Sequence, residues 1–185
     1  MALLVSNTVC EIREVKLSDK PAELIAASPK ATVPVLVLPE GRVIDESLDI
    51  MRWTLGRHDP EHWLDGDDRP LIEANDGAFK HHLDRYKYPD RYGADAAEHR
   101  ASGLAMLTYL EARLTSRSFL CGEHRSLTDA AIMPFVRQFA QTDRLWFDAQ
   151  PLTALQRWLS VQLASSLFVR TMIALPQWRA GNAKA

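Results

Sequence analysis

Cysteine is scarce in this chain. Cys10 and Cys121 are the two among 185 residues, far apart and in no CxxC spacing. That excludes a disulfide framework and a cysteine-based zinc module, and it fits reduced thiols in a cytosol. Both are expected to be buried as small hydrophobes. Glycine is also sparse, at eight residues with no Gly-rich phosphate loop among them, which argues against a nucleotide-cradling turn. Neither sign of charge is in excess: the formal net charge is -2, whereas a general nucleic-acid binder usually shows a basic surplus. No apolar run approaches the roughly 20 residues needed to span a bilayer. Met1 to Ser6 is apolar but lacks the charged start and the length of a secretory signal. His58 and His62 have i, i+4 spacing with Pro60 between them, and His81 and His82 are neighbours that point apart on a helix. No metal site is therefore expected.

What is present is a chain with 46% hydrophobic and 25% charged residues, an ordinary balance for a soluble globular protein. Its length suffices for one compact unit or two small ones. The first third mixes strand and helix signals. Val9 to Leu17 alternates Val and Ile with charges, as a strand does. Lys20-Pro21 opens a helix through about Ala27, and Ser28-Pro29 ends it. Val33 to Leu38 reads as a buried strand, Pro39-Glu40-Gly41 as a turn, and Arg42-Val43-Ile44 as a short returning strand. A helix follows from about Ser47 to Gly56, with Leu48, Met51 and Leu55 on one face.

Residues 58–68, with Pro60, Gly66 and many charges, read as a linker. Beyond them only helical patterns remain. One helix starts near Pro70 and carries Phe79, Leu83 and Tyr86. Others run from roughly Ala94 to Ser116, from near Leu127, and from Leu152, and the apolar segment Leu167 to Leu175 closes before Pro176. The tail from Ala180 to Ala185 is expected to fray. The order βαββα, a linker, then helices predicts a small α/β domain followed by an all-helical one.

Several local patterns stand out. Pro34 sits inside an apolar strand run, where it cannot donate to a ladder. A cis Val33–Pro34 bond at a strand edge would turn the Val33 backbone outward toward a ligand; a trans proline at a strand start is the alternative. Asp45-Glu46-Ser47 lies at a strand-to-helix turn, where first-turn N–H groups favour anions. A hydroxyl and a carboxylate there could hold an amino acid's α-carboxylate and α-ammonium together, or they could simply cap the helix. Ser126-Leu127-Thr128-Asp129 has the form of a capping box, with Asp in place of the usual Glu. Aromatic and basic residues alternate from Phe79 to Pro89, which suits either a helix lining a ligand cleft or a solvated face with ordinary core contacts.

In order and spacing these features resemble the glutathione S-transferase family. Lys20-Pro21-Ala22-Glu23-Leu24, Ser28-Pro29-Lys30-Ala31-Thr32-Val33-Pro34-Val35-Leu36 and Glu46-Ser47-Leu48-Asp49-Ile50 resemble its N-terminal thioredoxin-like domain. Phe119-Leu120-Cys121-Gly122 followed by Ser126 to Ile132 resembles its helical domain. The resemblance implies an α/β plus all-α architecture: an incomplete thioredoxin-like domain over residues 1–57, a linker over 58–68 and a helical domain over 69–185. It implies glutathione as co-substrate, with a cis Pro34, the Val33 backbone pairing with the cysteinyl part, and Glu46 and Ser47 holding the γ-glutamyl end. Ser126 and Asp129 would be a structural capping box, and Tyr86 and its neighbours would border a second-substrate pocket. Ala31 stands where the family often has glycine.

The family's first strand and the loop with its reactive Tyr, Ser or Cys are expected upstream of Met1, so no catalytic residue is expected within the chain. Cys10 lies within an expected strand and is no substitute. The implied function is thiol transfer to a small electrophile or thiol–disulfide exchange, in a cytoplasmic and possible homodimeric protein without metal, nucleic-acid or membrane partners. The alternative is a non-catalytic glutathione-binding or scaffold protein of the same two-domain shape.

Overall fold

The computed structural model describes residues 1–180, so the expected fraying of the tail beyond them lies outside the described residues. The chain divides into two compact units. One comprises Met1–Glu61 together with residues 170–180, and the other is His62–Val169. The division thus falls after Glu61 and after Val169 rather than at the expected 57 and 69, and residues 170–180 return to the first unit.

In the first unit, α1 (Ala2–Val5) packs on α3 (Ser47–Leu55) through buried Ala2, Val5, Ile50 and Leu55. A cluster of hydroxyls ties the same elements together. Ser6 Oγ lies 2.6 Å from Thr54 Oγ1 and 2.7 Å from Thr8 Oγ1, and Thr54 is fully buried. Each hydroxyl can donate and accept, so the group satisfies itself where water is excluded. Helix α2 (Ala22–Ala27) begins just after Pro21, which occupies the N-cap and not the first helical position. Strands β1 (Leu36–Val37) and β2 (Val43–Ile44) form an antiparallel pair, with Leu36 opposite Ile44.

The expected strand from Val9 to Leu17 does not form. Among the described residues its β-pairing is limited to the isolated bridges Glu14 to Gln177 and Lys16 to Asp19, and Val9 is 97% exposed. Its alternating pattern suits a strand, but pattern alone supplies no partner, and a strand exists only by pairing. Cys10 in this stretch is exposed and Cys121 is half-buried, which corrects the expectation that both are buried.

The second unit starts inside the expected linker. A 3₁₀ turn, Trp63–Gly66, buries the Trp63 side chain completely. The Gly66 carbonyl accepts from Thr128 Oγ1 at 2.7 Å, and the Asp68 N–H donates back to that hydroxyl at 2.9 Å. A Cβ on Gly66 would stand 2.4 Å from the Ser126 Cβ, so only glycine fits this approach. Charges and Pro60 made the segment look like a linker, whereas one buried indole and one close contact make it part of the core.

Helices α4 (Arg69–Ala74) and α5 (Lys80–Lys87) join through a π-helical turn, Asn75–Phe79. After the short α6 (Pro89–Tyr92) come α7 (Ala96–Leu114), α8 (Leu127–Thr142), α9 (Arg144–Asp148), α10 (Thr153–Ala164) and α11 (Ser166–Thr171). Leu107, Leu110 and Leu114 of α7 meet the core with Ile132, Val136 and Phe139 of α8 and Leu155 and Leu159 of α10, all buried and all at helical spacing. Tyr86 is buried too, with its ring 4.9 Å from Phe139. It packs into this core.

The capping box forms. Ser126 Oγ accepts from the Asp129 N–H, and Asp129 Oδ2 accepts from the Ser126 N–H at 2.9 Å. Among the described residues no helix is long and apolar enough to cross a membrane.

Candidate functional site

The Val33–Pro34 peptide bond is cis, and Val33 is 45% exposed, just before β1. Ala31 adopts a left-handed conformation at φ 49° in the turn leading there. That geometry suits glycine better, which accounts for the position where Ala31 departs from the resembled pattern.

Glu46 is the N-cap residue of α3, and Ser47 is its first helical residue. Among the described residues no side chain caps this terminus. Asp45 is turned away, accepting from Ser28 Oγ at 3.1 Å and from Lys30 Nζ at 3.4 Å. Lys30 also donates to Glu46 Oε1 at 2.7 Å. These two carboxylates raise the Lys30 pKa, Glu46 more than Asp45. The first turn of α3 thus lacks a side-chain cap and lies beside an exposed hydroxyl and an exposed carboxylate. Simple capping by Asp45 or Ser47, the alternative reading of this turn, is not what the side chains do.

A cleft of about 510 Å³ opens in the first unit. Val33, Pro34 and Ser47 line it, together with Cys10, Ile50 and Trp178. Glu46 does not; it stands beside the rim, held by Lys30. The structure therefore gathers three of the four expected ligand-binding residues on one cleft and leaves the fourth adjacent. Trp178 was not anticipated as a lining residue. It reaches the cleft because its backbone N–H donates to the Glu14 carbonyl at 2.8 Å and its ring lies under the Arg13 guanidinium. No local signal near Pro176 announces that long-range return. A second hollow of about 530 Å³, near Ser6, Trp53 and His58, holds none of the expected residues.

Ser126 and Asp129 lie in the other unit, and their roles there are structural. The Asp129 carboxylate is fully buried and accepts from the Leu120 N–H at 2.9 Å and Trp158 Nε1–H at 2.8 Å, besides Ser126. The Trp158 bond joins α10 to the start of α8, a contact that the four-residue motif does not reveal.

Two family models match the chain in order. Residues 1–54 match the glutathione S-transferase N-terminal domain, and residues 76–160 match the glutathione S-transferase C-terminal domain. No curated protein matches in sequence. Solved structures share the fold at low identity. A glutathione S-transferase domain-containing protein from Marinobacter aquaeolei aligns at 18% identity and TM-score 0.71, covering 90% of this chain and 91% of that one. A delta-class glutathione transferase from Nilaparvata lugens aligns at 21% identity and TM-score 0.72, over 89% of this chain and 81% of that one. A glutathione S-transferase-I bound with lactoylglutathione aligns at 20% identity and TM-score 0.72, over 91% and 88%. With both domain models matched in sequence order over a fold of α/β and helical units, this chain belongs to the glutathione S-transferase family.

Proposed function

We propose that this chain binds glutathione, with the γ-glutamyl end at the N-terminus of α3. The uncapped first turn of α3 beside exposed Glu46 and Ser47 carries this reading. The α-carboxylate of the ligand accepts from the first-turn N–H groups and from Ser47 Oγ. Its α-ammonium takes the Glu46 carboxylate, where Lys30 Nζ now sits. The cysteinyl part runs along the exposed Val33 backbone next to Pro34. Family membership supports the ligand, and a relative of the same fold is bound with lactoylglutathione. In this reading glutathione serves thiol transfer to a small electrophile or disulfide. We assign activation of its sulfur to no described residue: Ser47, at the N-terminus of α3, is taken up by the γ-glutamyl end. Exposed Cys10 shares the cleft but lies in the extended, unpaired stretch after α1.

The test is thermal unfolding of the full chain with and without millimolar reduced glutathione. A ligand that binds only the folded state stabilises it by about 2.7 kcal/mol at a hundredfold excess over Kd. A rise in Tm is expected, and it should vanish in Glu46→Ala and shrink in Ser47→Ala. Both side chains are exposed, so both variants should melt cooperatively without ligand. A cooperative melt that glutathione leaves unchanged overturns the proposal. Turnover of an activated aryl halide that Glu46→Ala abolishes would favour a transferase over a purely binding role.

A further inference from the structure

In the helical unit, three imidazoles converge where the first turn of α5 meets the first turn of α7. His81 and His82 are adjacent on α5, and on an isolated helix they would diverge by about 100°. His99 of α7 completes a triangle with them. The ring centroids are 5.1 Å apart for His81 and His82, 5.8 Å for His81 and His99, and 5.1 Å for His82 and His99. One ring nitrogen from each lies within 4.8 Å of the others. We propose that His81, His82 and His99 form a binding site for a divalent transition-metal ion, of which Zn²⁺ fits best, with a fourth coordination position open to solvent.

The hydrogen bonding supports this. His82 Nδ1 and His99 Nδ1 are 2.8 Å apart. One of the two must donate and the other accept, so the rings share one proton across aligned lone pairs. A metal ion takes the place of that proton, and the donor ring carries its hydrogen on Nε2 instead. Tetrahedral coordination at about 2.0–2.1 Å places ligand nitrogens about 3.3 Å apart, within reach of small side-chain rotations from the separations here. Imidazole ligands select zinc, copper or nickel over magnesium or calcium, which prefer oxygen.

Burial lowers the His82 pKa, and the His99 and His81 rings and Arg85 add to the effect against the pull of Glu98. A neutral ring is the metal-binding form. His81 is exposed, which leaves an entry path and an open position.

Arg85 opposes the ion. Its Nη1 donates to His81 Nδ1 at 3.0 Å and to the His81 carbonyl at 3.3 Å, and its guanidinium covers the Tyr92 ring. His81 joins the metal only when the first of these bonds opens. Arg85→Gln is therefore expected to tighten binding, because it removes both a competing donor and a like charge.

The experiment is titration of the untagged, chelator-stripped full chain with Co²⁺ and then Zn²⁺. Four-coordinate Co²⁺ is followed by its visible absorption, and Zn²⁺ affinity by competition with a chromophoric chelator. One equivalent is expected, with intense Co²⁺ absorption that Zn²⁺ abolishes. Loss of any one imidazole should weaken binding at least tenfold, roughly the floor set by losses of mere outer-shell partners. His81→Ala, at an exposed position, tests this without burdening the fold. His99→Ala is compared at matched helical content and Tm in metal-free buffer. Failure to take up an equivalent, or equal affinity in the wild type and His81→Ala, overturns the proposal.

Discussion

Asp129 shows how much one buried side chain can hold. Its carboxylate accepts from the Ser126 N–H, the Ser126 hydroxyl, the Leu120 N–H and the Trp158 indole, and it is completely shielded from water. Removing it leaves several donors buried without partners, at about 1–3 kcal/mol for each. Asp129→Ala is expected to lower the unfolding free energy by on the order of 3 kcal/mol or more, read as a fall in the urea midpoint at unchanged slope. Asp129→Asn keeps the shape but faces an amide N–H₂ toward donors, so it should recover only part of the loss. Ser126→Ala, which removes one cap, should cost about 1 kcal/mol. Equal effects of Asp129→Ala and Ser126→Ala would mean that the long-range bonds to Leu120 and Trp158 contribute nothing.

Between elements, the start of α10 makes the corresponding point. Leu152 occupies its N-cap and offers no side-chain acceptor. The acceptor comes from α7 instead: Glu111 Oε1 and Oε2 accept from the Ala154 and Leu155 N–H groups at 3.1 and 2.7 Å. A carboxylate at a helix N-terminus satisfies orphan donors and complements the dipole. Glu111→Ala is expected to cost about 1–2 kcal/mol, in the range of N-cap losses. About one turn further along both helices, Arg157 donates to the Leu114 carbonyl. Glu111→Gln, which keeps an acceptor but loses the charge, should fall between the two. Thermal melts of the three proteins check this order.

Across the whole molecule the stability is uneven. The helical unit has a continuous core of large, fully buried side chains, including Trp63, Trp158, Phe139 and Phe147. The first unit has two paired strands of two residues each and many exposed apolar side chains, among them Val9, Ile12, Leu17 and Val37. Regions with few buried contacts and few backbone bonds open at low free energy. Amide hydrogen exchange should therefore be fast from Val9 to Leu17 and slow in α8 and α10. Protection of Val9 to Leu17 comparable to that of α8 would show pairing of this stretch in solution and overturn the expectation.

Periodicity and local chemistry were enough to place most helices, the β1–β2 turn, the capping box and the order of an α/β part before an all-helical part. These features depend on residues a few positions apart, so the chain carries them directly: Leu107, Leu110 and Leu114 share a face whatever they pack against. Val33, Pro34, Glu46 and Ser47 stand out for the same reason, as a proline in an apolar run and a polar turn before a helix, while a ligand role for them comes from the family resemblance alone. Four features depended on distant partners. The Val9–Leu17 pattern found no strand to pair with. Trp63 turned an apparent linker into core. Trp178 came back across the chain to line the cleft. His99 closed on two histidines that diverge along their own helix. Side-chain spacing along one element is fixed by backbone geometry, whereas pairing, burial and convergence between elements follow from free energies that only the assembled chain sets.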